Sequence, residues 1–186
     1  MRISKLQTVA AALLLLGICR ADTLIPAGEE DYLVVPSSSP VRFLSYNTDN
    51  LSASFEGSFV LTGGYVLGFH SYPTADHPDW GMYGFTFTVD PELVATLPRW
   101  DRFPEGPKEV DFDNFEDFVN AVVPAADLAR LKRGEIKSYS GRVSARVDRY
   151  WTAKPCGYPE FKVHFLEVVK PPLLVAGNDT VEPRNC

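Results

Sequence analysis

The stretch "SASFEGSFVLTGGYVLGF", residues 52 to 69, alternates between apolar and polar residues over most of its length. Phe55, Phe59, Leu61, Tyr65, Leu67 and Phe69 share one parity, so a strand here turns a single greasy face to one side. Gly57 and Gly63 fall on that same parity, where a strongly coiled strand needs room for a bend or bulge. A strand this long has two edges to protect, and curling the sheet shut protects both. The run therefore predicts a barrel.

The remaining pattern supplies the other walls. "YGFTFTVD" places Tyr83, Phe85, Phe87 and Val89 on one face with Thr between them. "ELVATLPRW" is apolar enough for a third strand, kept short by Pro91 and Pro98. The period then lengthens: Phe115, Phe118, Val119, Val122 and Val123 recur at helical spacing, with Asp113 as N-cap and Glu116 completing a capping box. Pro124 breaks that helix and opens a second one to Arg133, with Gly134 just past its end. Two strands follow. The first sets Tyr139, Gly141, Val143, Ala145 and Val147 on one face, and the second sets Phe161, Val163, Phe165 and Val169 inward. The order β-β-β-α-β-β is that of an OB-fold-like barrel, mainly β with one helical segment between strands three and four. The boundaries read as a leader over 1–21, a Pro- and Ser-rich lead-in over 22–40 that pairs at most the short strand "DYLVV", the barrel over 41–170, and a tail over 171–186.

The segment "LARLKRGEIKSYSGRVSARV…FKVHFLEVV" resembles the closing half of small exported bacterial OB-fold-like domains. In those, a leucine-rich helix end with glycine precedes a strand containing glycine and valine. The opening strand "FEGSFVLTGGY" fits theirs as well. The resemblance covers about two-thirds of the chain after its leader, by pattern. These domains are largely uncharacterised, so the resemblance implies a fold and an exported, bacterial setting and carries over no functional residues.

Export is also written at the start of the chain. "MRISKLQT" carries Arg2 and Lys5, and the apolar run from Val9 to Ile18 suits a signal-peptide core while being too short to span a bilayer. Cleavage after Ala21 gives a soluble periplasmic or secreted protein. A lipoprotein reading at Cys19 competes, although Ile18 is branched where a lipobox takes Gly, Ala or Ser. Of 18 Lys+Arg, the leader holds Arg2, Lys5 and Arg20, which leaves 15 against 24 Asp+Glu, a net charge of −9. Such a chain repels nucleic acid and anionic membrane and favours a basic protein partner. Cys156 and Cys186 remain as a pair, read as a disulfide in an oxidising compartment. Closing that loop of about 30 residues stabilises by roughly 3 to 4 kcal/mol in the chain-entropy model. "NLS" at Asn50 and "NDT" at Asn178 are glycosylation sequons that matter only in a eukaryotic host.

Two connections carry the candidate chemistry. "GFHSYPTADHPDWG", residues 68–81, gathers His70, Tyr72, Asp76, His77, Asp79 and Trp80. Zinc takes such ligands, yet the two histidines are separated by Pro73 and Pro78 with no helix to align them, so a structured polar loop is the default. "DRYWTAKPCGYPE", residues 148–160, offers Tyr150, Trp151 and Tyr158. Read as two aromatic loops at one barrel mouth, they form a single binding surface. The acidic run "EVDFDNFEDF", 109–118, reads as a helix start, with its phenylalanines inward and its acids at the positive end of the helix dipole. It lacks the central glycine of a calcium loop. No nucleophile elbow, zinc-protease helix or phosphate-cradling loop is present, and His164 reads as a packed or surface residue. The expected function is therefore non-catalytic binding of a protein, such as a basic cell-wall enzyme or toxin, without cofactor or metal. A carbohydrate- or peptidoglycan-binding module is the alternative, and a metal-dependent hydrolase at His70 and His77 is a third class.

Overall fold

The long alternating run is two strands, not one. The computed structural model describes residues 21–27, 31–72, 76, 81–154, 157–178 and 181. In chain order these form β1 (Thr23–Pro26), β2 (Tyr32–Val35), β3 (Arg42–Asn47), β4 (Ser52–Glu56), β5 (Phe59–Ser71) and β6 (Gly81–Val89). A short helix α1 (Pro91–Val94) precedes β7 (Arg99–Trp100) and β8 (Glu109–Phe112). Helices α2 (Phe115–Val122) and α3 (Ala125–Lys132) lead into β9 (Ser138–Ala153), β10 (Glu160–Lys170) and β11 (Val175–Gly177). Gly57 divides the opening run: its φ is +131°, and a Cβ there would sit 2.8 Å from the Pro40 carbonyl oxygen.

Strand pairing closes a ring. β5 runs antiparallel to β6 from Gly63↔Val89 to Ser71↔Gly81, and to β9 from Phe59↔Val147 to Gly68↔Ser138. β6 meets β8 at Phe87↔Val110 and Thr88↔Glu109. β8 lies parallel to β10 at Asp111↔Lys162 and Phe112↔Val163, and β10 returns antiparallel to β9. The result is a mainly-β, barrel-like fold in which α2 and α3 fall between the third and fourth strands of the ring, β8 and β9, and α1 falls between the second and third. β4 and β3 extend the sheet from the far end of β9, and β11 pairs with its near end.

The third wall is not where the sequence placed it. Residues 92–100 do not form a ring strand. Pro91 takes the first turn of α1, where its fixed φ and missing N–H cost nothing, and β7 leaves the barrel to pair with β2. The acidic run takes the place in the ring instead. Val110 and Phe112 are buried on one face of β8, at strand spacing.

Two ends of the core are sealed differently. At one end, α2 drives Phe118 into a nest of rings, stacked on Phe112 at 4.1 Å and edge-on to Tyr65, Phe85, Phe87 and Phe165. Such aromatic pairs contribute about 0.5–1.5 kcal/mol each beyond their burial. At the other end, β1, β2 and β7 form a small separate sheet that buries Leu33 and Trp100 completely. Trp100 Nε1 donates to Thr152 Oγ1 at 2.9 Å, and that hydroxyl donates to the Glu160 carbonyl at 2.8 Å. The Lys154 ammonium lies 5.0 Å over the Trp100 ring and pairs with Asp31. The expected lead-in is thus a hairpin that plugs the barrel.

The register between β9 and β10 shifts three times, after Lys162, Phe165 and Val168, and the first two shifts reset which side chains face inward. Between the pairs Asp148↔His164 and Trp151↔Lys162, β9 uses one residue more than β10, and Arg149 takes φ +51°. Tyr150 therefore points inward and is fully buried, with its hydroxyl donating to the Pro98 carbonyl at 2.6 Å. It is a core residue and not an exposed loop aromatic, which corrects its expected place on the binding surface. On β10 the extra residue is Leu166, between Phe165↔Val147 and Glu167↔Arg146. Val168 then packs on the core, and Val169, expected inward, is exposed.

Burial pushes the Tyr65 hydroxyl up to about 12 and the Tyr150 hydroxyl well above the usual tyrosine value. Both are neutral in the fold, so their contribution is intact below about pH 10. As pH climbs past that, the unfolded chain ionises first, and stability drops until Tyr65 itself titrates near 12. Thermal melts in alkaline buffer should be flat up to about pH 10 and fall steeply above it. A second contrast separates these residues. The buried Tyr65 hydroxyl has no hydrogen-bond partner among the described residues, so Tyr65→Phe should be close to neutral. Tyr150→Phe strands the Pro98 carbonyl and should cost about 1–3 kcal/mol in urea denaturation.

Candidate functional site: an open seam in the barrel wall

The two loops read from the sequence do not share a mouth. Because β5 and β9 are antiparallel, the connection after Ser71 leaves beside Ser138, whereas the connection after Ala153 leaves at the opposite end of the barrel. The expected single surface is therefore corrected to two separate ones. At the first, Tyr72 is exposed and lies parallel to His70, ring centroids 6.4 Å apart, and His70 Nε2 hydrogen-bonds the Val181 carbonyl. Asp76 is exposed. His77, Asp79 and Trp80 lie outside the described residues, as do Cys156 and Cys186 and hence their disulfide. Among the described residues no three His, Cys, Asp or Glu side chains are grouped to hold a metal. At the second, Tyr158 is 73% exposed, and Trp151 is half-buried on β9.

Trp151 belongs to a different constellation, on the outer face of β9, β10 and β8. Register places Trp151 opposite Lys162, and Lys162 opposite Asp111, in one row across three strands. The Lys162 ammonium sits 5.2 Å over the Trp151 ring and 3.6 Å from Glu160. The next row sets Asp148 opposite His164, whose Nδ1 lies 2.6 Å from Asp113 Oδ1. Asp113 is thus committed to His164 and not to capping α2. The residue at the cap is Asn114. Its side-chain amide accepts from Phe165 N at 2.8 Å and donates to the Phe165 carbonyl at 2.9 Å, continuing the parallel ladder beyond Phe112.

Beside these rows the wall opens. β6 pairs with β5 over all nine residues but meets β8 only at Phe87 and Thr88. From Met82 to Thr86 its outer edge has no strand partner among the described residues. β8 veers away to join β10, leaving a slot of about 290 Å³. Phe85, Phe112 and Phe115 form its floor, Tyr83 and Met82 one lip, and Asp111 and Lys162 the other. Phe115 packs 4.9 Å from Phe85 and 5.7 Å from Tyr83, so the floor is built from rings in mutual contact. Met82 stays 46% exposed at the lip. The flank is acidic: Glu109, Asp111, Asp113, Glu116 and Asp117 follow within nine residues of chain.

The sequence reading found only Trp151 of this set. Lys162, His164 and Asp111 alternate with core residues on short strands, a signal present but common, and the slot itself arises from strand divergence that no local pattern announces.

No protein-family model matches the chain, and no curated protein or solved structure is significantly similar to it. Its chemistry is read from its own geometry: an unpaired strand edge, a preformed aromatic slot and a carboxylate-rich flank. Among the described residues no helix is long and apolar enough to cross a membrane.

Asn114 holds one side of the seam in place. Asn114→Ala removes both hydrogen bonds to Phe165 and leaves that backbone unpaired, which should cost about 1–3 kcal/mol in chemical denaturation. A change below a few tenths would show that the ladder closes without the amide.

Proposed function

We propose that this is a non-catalytic, exported binding protein that holds an extended segment of a basic protein along the seam between β6 and β8. The observation that carries the reading is the free edge from Met82 to Thr86 beside the slot. An exposed strand edge offers backbone hydrogen bonds to an incoming strand, and a pocket beside it reads alternate side chains. An apolar side chain of the partner fills the slot above Phe85, Phe112 and Phe115. The acidic flank favours lysine and arginine next to it and speeds encounter. The leader-like start of the chain and its acidity once that leader is removed fit a basic cell-wall enzyme or toxin as the partner, which binding inhibits or neutralises.

A glycan reading needs open aromatic faces, and three of the aromatics expected from the sequence are committed, although Tyr158 is 73% exposed. Tyr150 is buried, an ammonium covers one face of Trp151, and Tyr72 lies against His70. This supports the protein partner over the carbohydrate one.

The test is titration of the purified protein against a panel of basic cell-wall hydrolases at low and high salt. Binding to at least one of them should weaken as salt rises. Met82→Lys, which puts a like charge at the slot mouth, should weaken it about tenfold or more, equivalent to 1.4 kcal/mol. Affinity for every panel member that is absent, or indifferent to Met82→Lys and Phe115→Ala, defeats the proposal.

A further inference from the structure

A second concave site lies at the opposite end of β6, away from the seam. Val89, Pro91, Val94 and Pro104 line a cleft of about 490 Å³ between α1 and the loop that follows β7. That volume and its mainly apolar wall fall in the range that holds small molecules. Two cations border it, Arg99 and Lys108. Their position follows from the chain. On β7, Trp100 is directed into the core and Arg99 alternates outward, while the Lys108 backbone is pinned by its carbonyl accepting from Val89 N at 2.8 Å.

What sets Arg99 apart is that it has no counter-ion among the described residues. Every other described arginine stands in an ion pair with a carboxylate. Among the described residues Arg99 and Lys108 have none, in a chain with an excess of acids. Glu105 borders the same cleft, yet it pairs with neither. Behind the cleft's wall, Gly106 at φ +68° packs closely on two lining side chains: a Cβ there would come within 3.1 Å of Val94 Cγ1 and 3.5 Å of Arg99 Cδ.

The geometry points to a small amphipathic carboxylate as the ligand of this cleft, with its apolar body against Val89, Val94 and Pro104 and its carboxylate on Arg99 and Lys108. Guanidinium suits this task because its planar fork accepts a carboxylate in two parallel hydrogen bonds. A neutral molecule of the same shape would use only the wall.

Decanoate and decanol, below their aggregation limits, test this by calorimetric titration of the full chain. Decanoate should bind at least about tenfold more tightly than decanol, a difference of 1.4 kcal/mol. Arg99→Gln should erase that preference and leave decanol unchanged. Ala95→Phe, at an exposed lining position, should block both ligands while the thermal melt stays in place. Equal affinities for the acid and the alcohol, a preference that survives Arg99→Gln with Lys108→Gln, or no binding of decanoate overturns the inference.

Discussion

The barrel is closed by four residues. β8 shares two of them with β6 and two with β10, and without it both neighbours would present open edges. A parallel pair is less stable per residue than an antiparallel one, and a pair two residues long cannot hold alone. The fold reinforces it from both sides. Asp113 N donates to the Val163 carbonyl at 3.0 Å, the Asn114 amide extends the ladder to Phe165, and the Asp113 carboxylate holds His164. Closure also positions Phe112 under Phe118, so the aromatic nest and the ring stabilise one another. Because β8 can serve two partners only by crossing from one to the other, the wall must part where it crosses. The seam is a geometric consequence of closing a ring with so short a strand.

Much of this was legible in the residues. The faces of β5 and β6 and the early face of β9 were read correctly from parity, since period-2 burial survives any amount of twist. Both helices after residue 113 were legible from their spacing. What failed were the places where parity is reset. A single residue inserted at Arg149 turns Tyr150 inward, and another at Leu166 turns Val169 outward, and nothing in either stretch marks the insertion. Arg149 is an unremarkable residue for such a bulge by composition, though its φ is in a region that favours glycine. The run 109–112 misled for a different reason. Four residues contain too little period to tell a strand from a helix start, and the carboxylates fit the helix dipole equally well. The candidate site was correspondingly harder to read than the fold. Trp151 was found as an aromatic, but its neighbours across the sheet depend on register, which a sequence without its bulges does not give.

The two sites share a strand and differ in sign. Along β6, Met82 to Phe85 line the acidic seam, Phe87 and Thr88 hold β8, and Thr88 and Val89 begin the cleft bordered by Arg99 and Lys108. On the two proposals, a basic segment would meet the carboxylates of the seam and an anion the Arg99 and Lys108 side chains of the cleft. The strand does not need to move for either to bind, because β5 holds it along its whole length.

Burial of the aromatics bears on how the proposed recognition at the seam would work. Interfaces commonly take their energy from exposed Trp and Tyr anchors. Here the nest around Phe118 and the plug around Trp100 bury the rings they use, and the row on the outer face pairs its tryptophan with a lysine. The seam is left with backbone hydrogen bonds, one apolar socket and a field of carboxylates. Strand addition supplies affinity that hardly depends on the partner's sequence, and the socket and field then choose among partners. A surface built this way discriminates by charge and by one side chain, so it tolerates variation elsewhere in the bound segment.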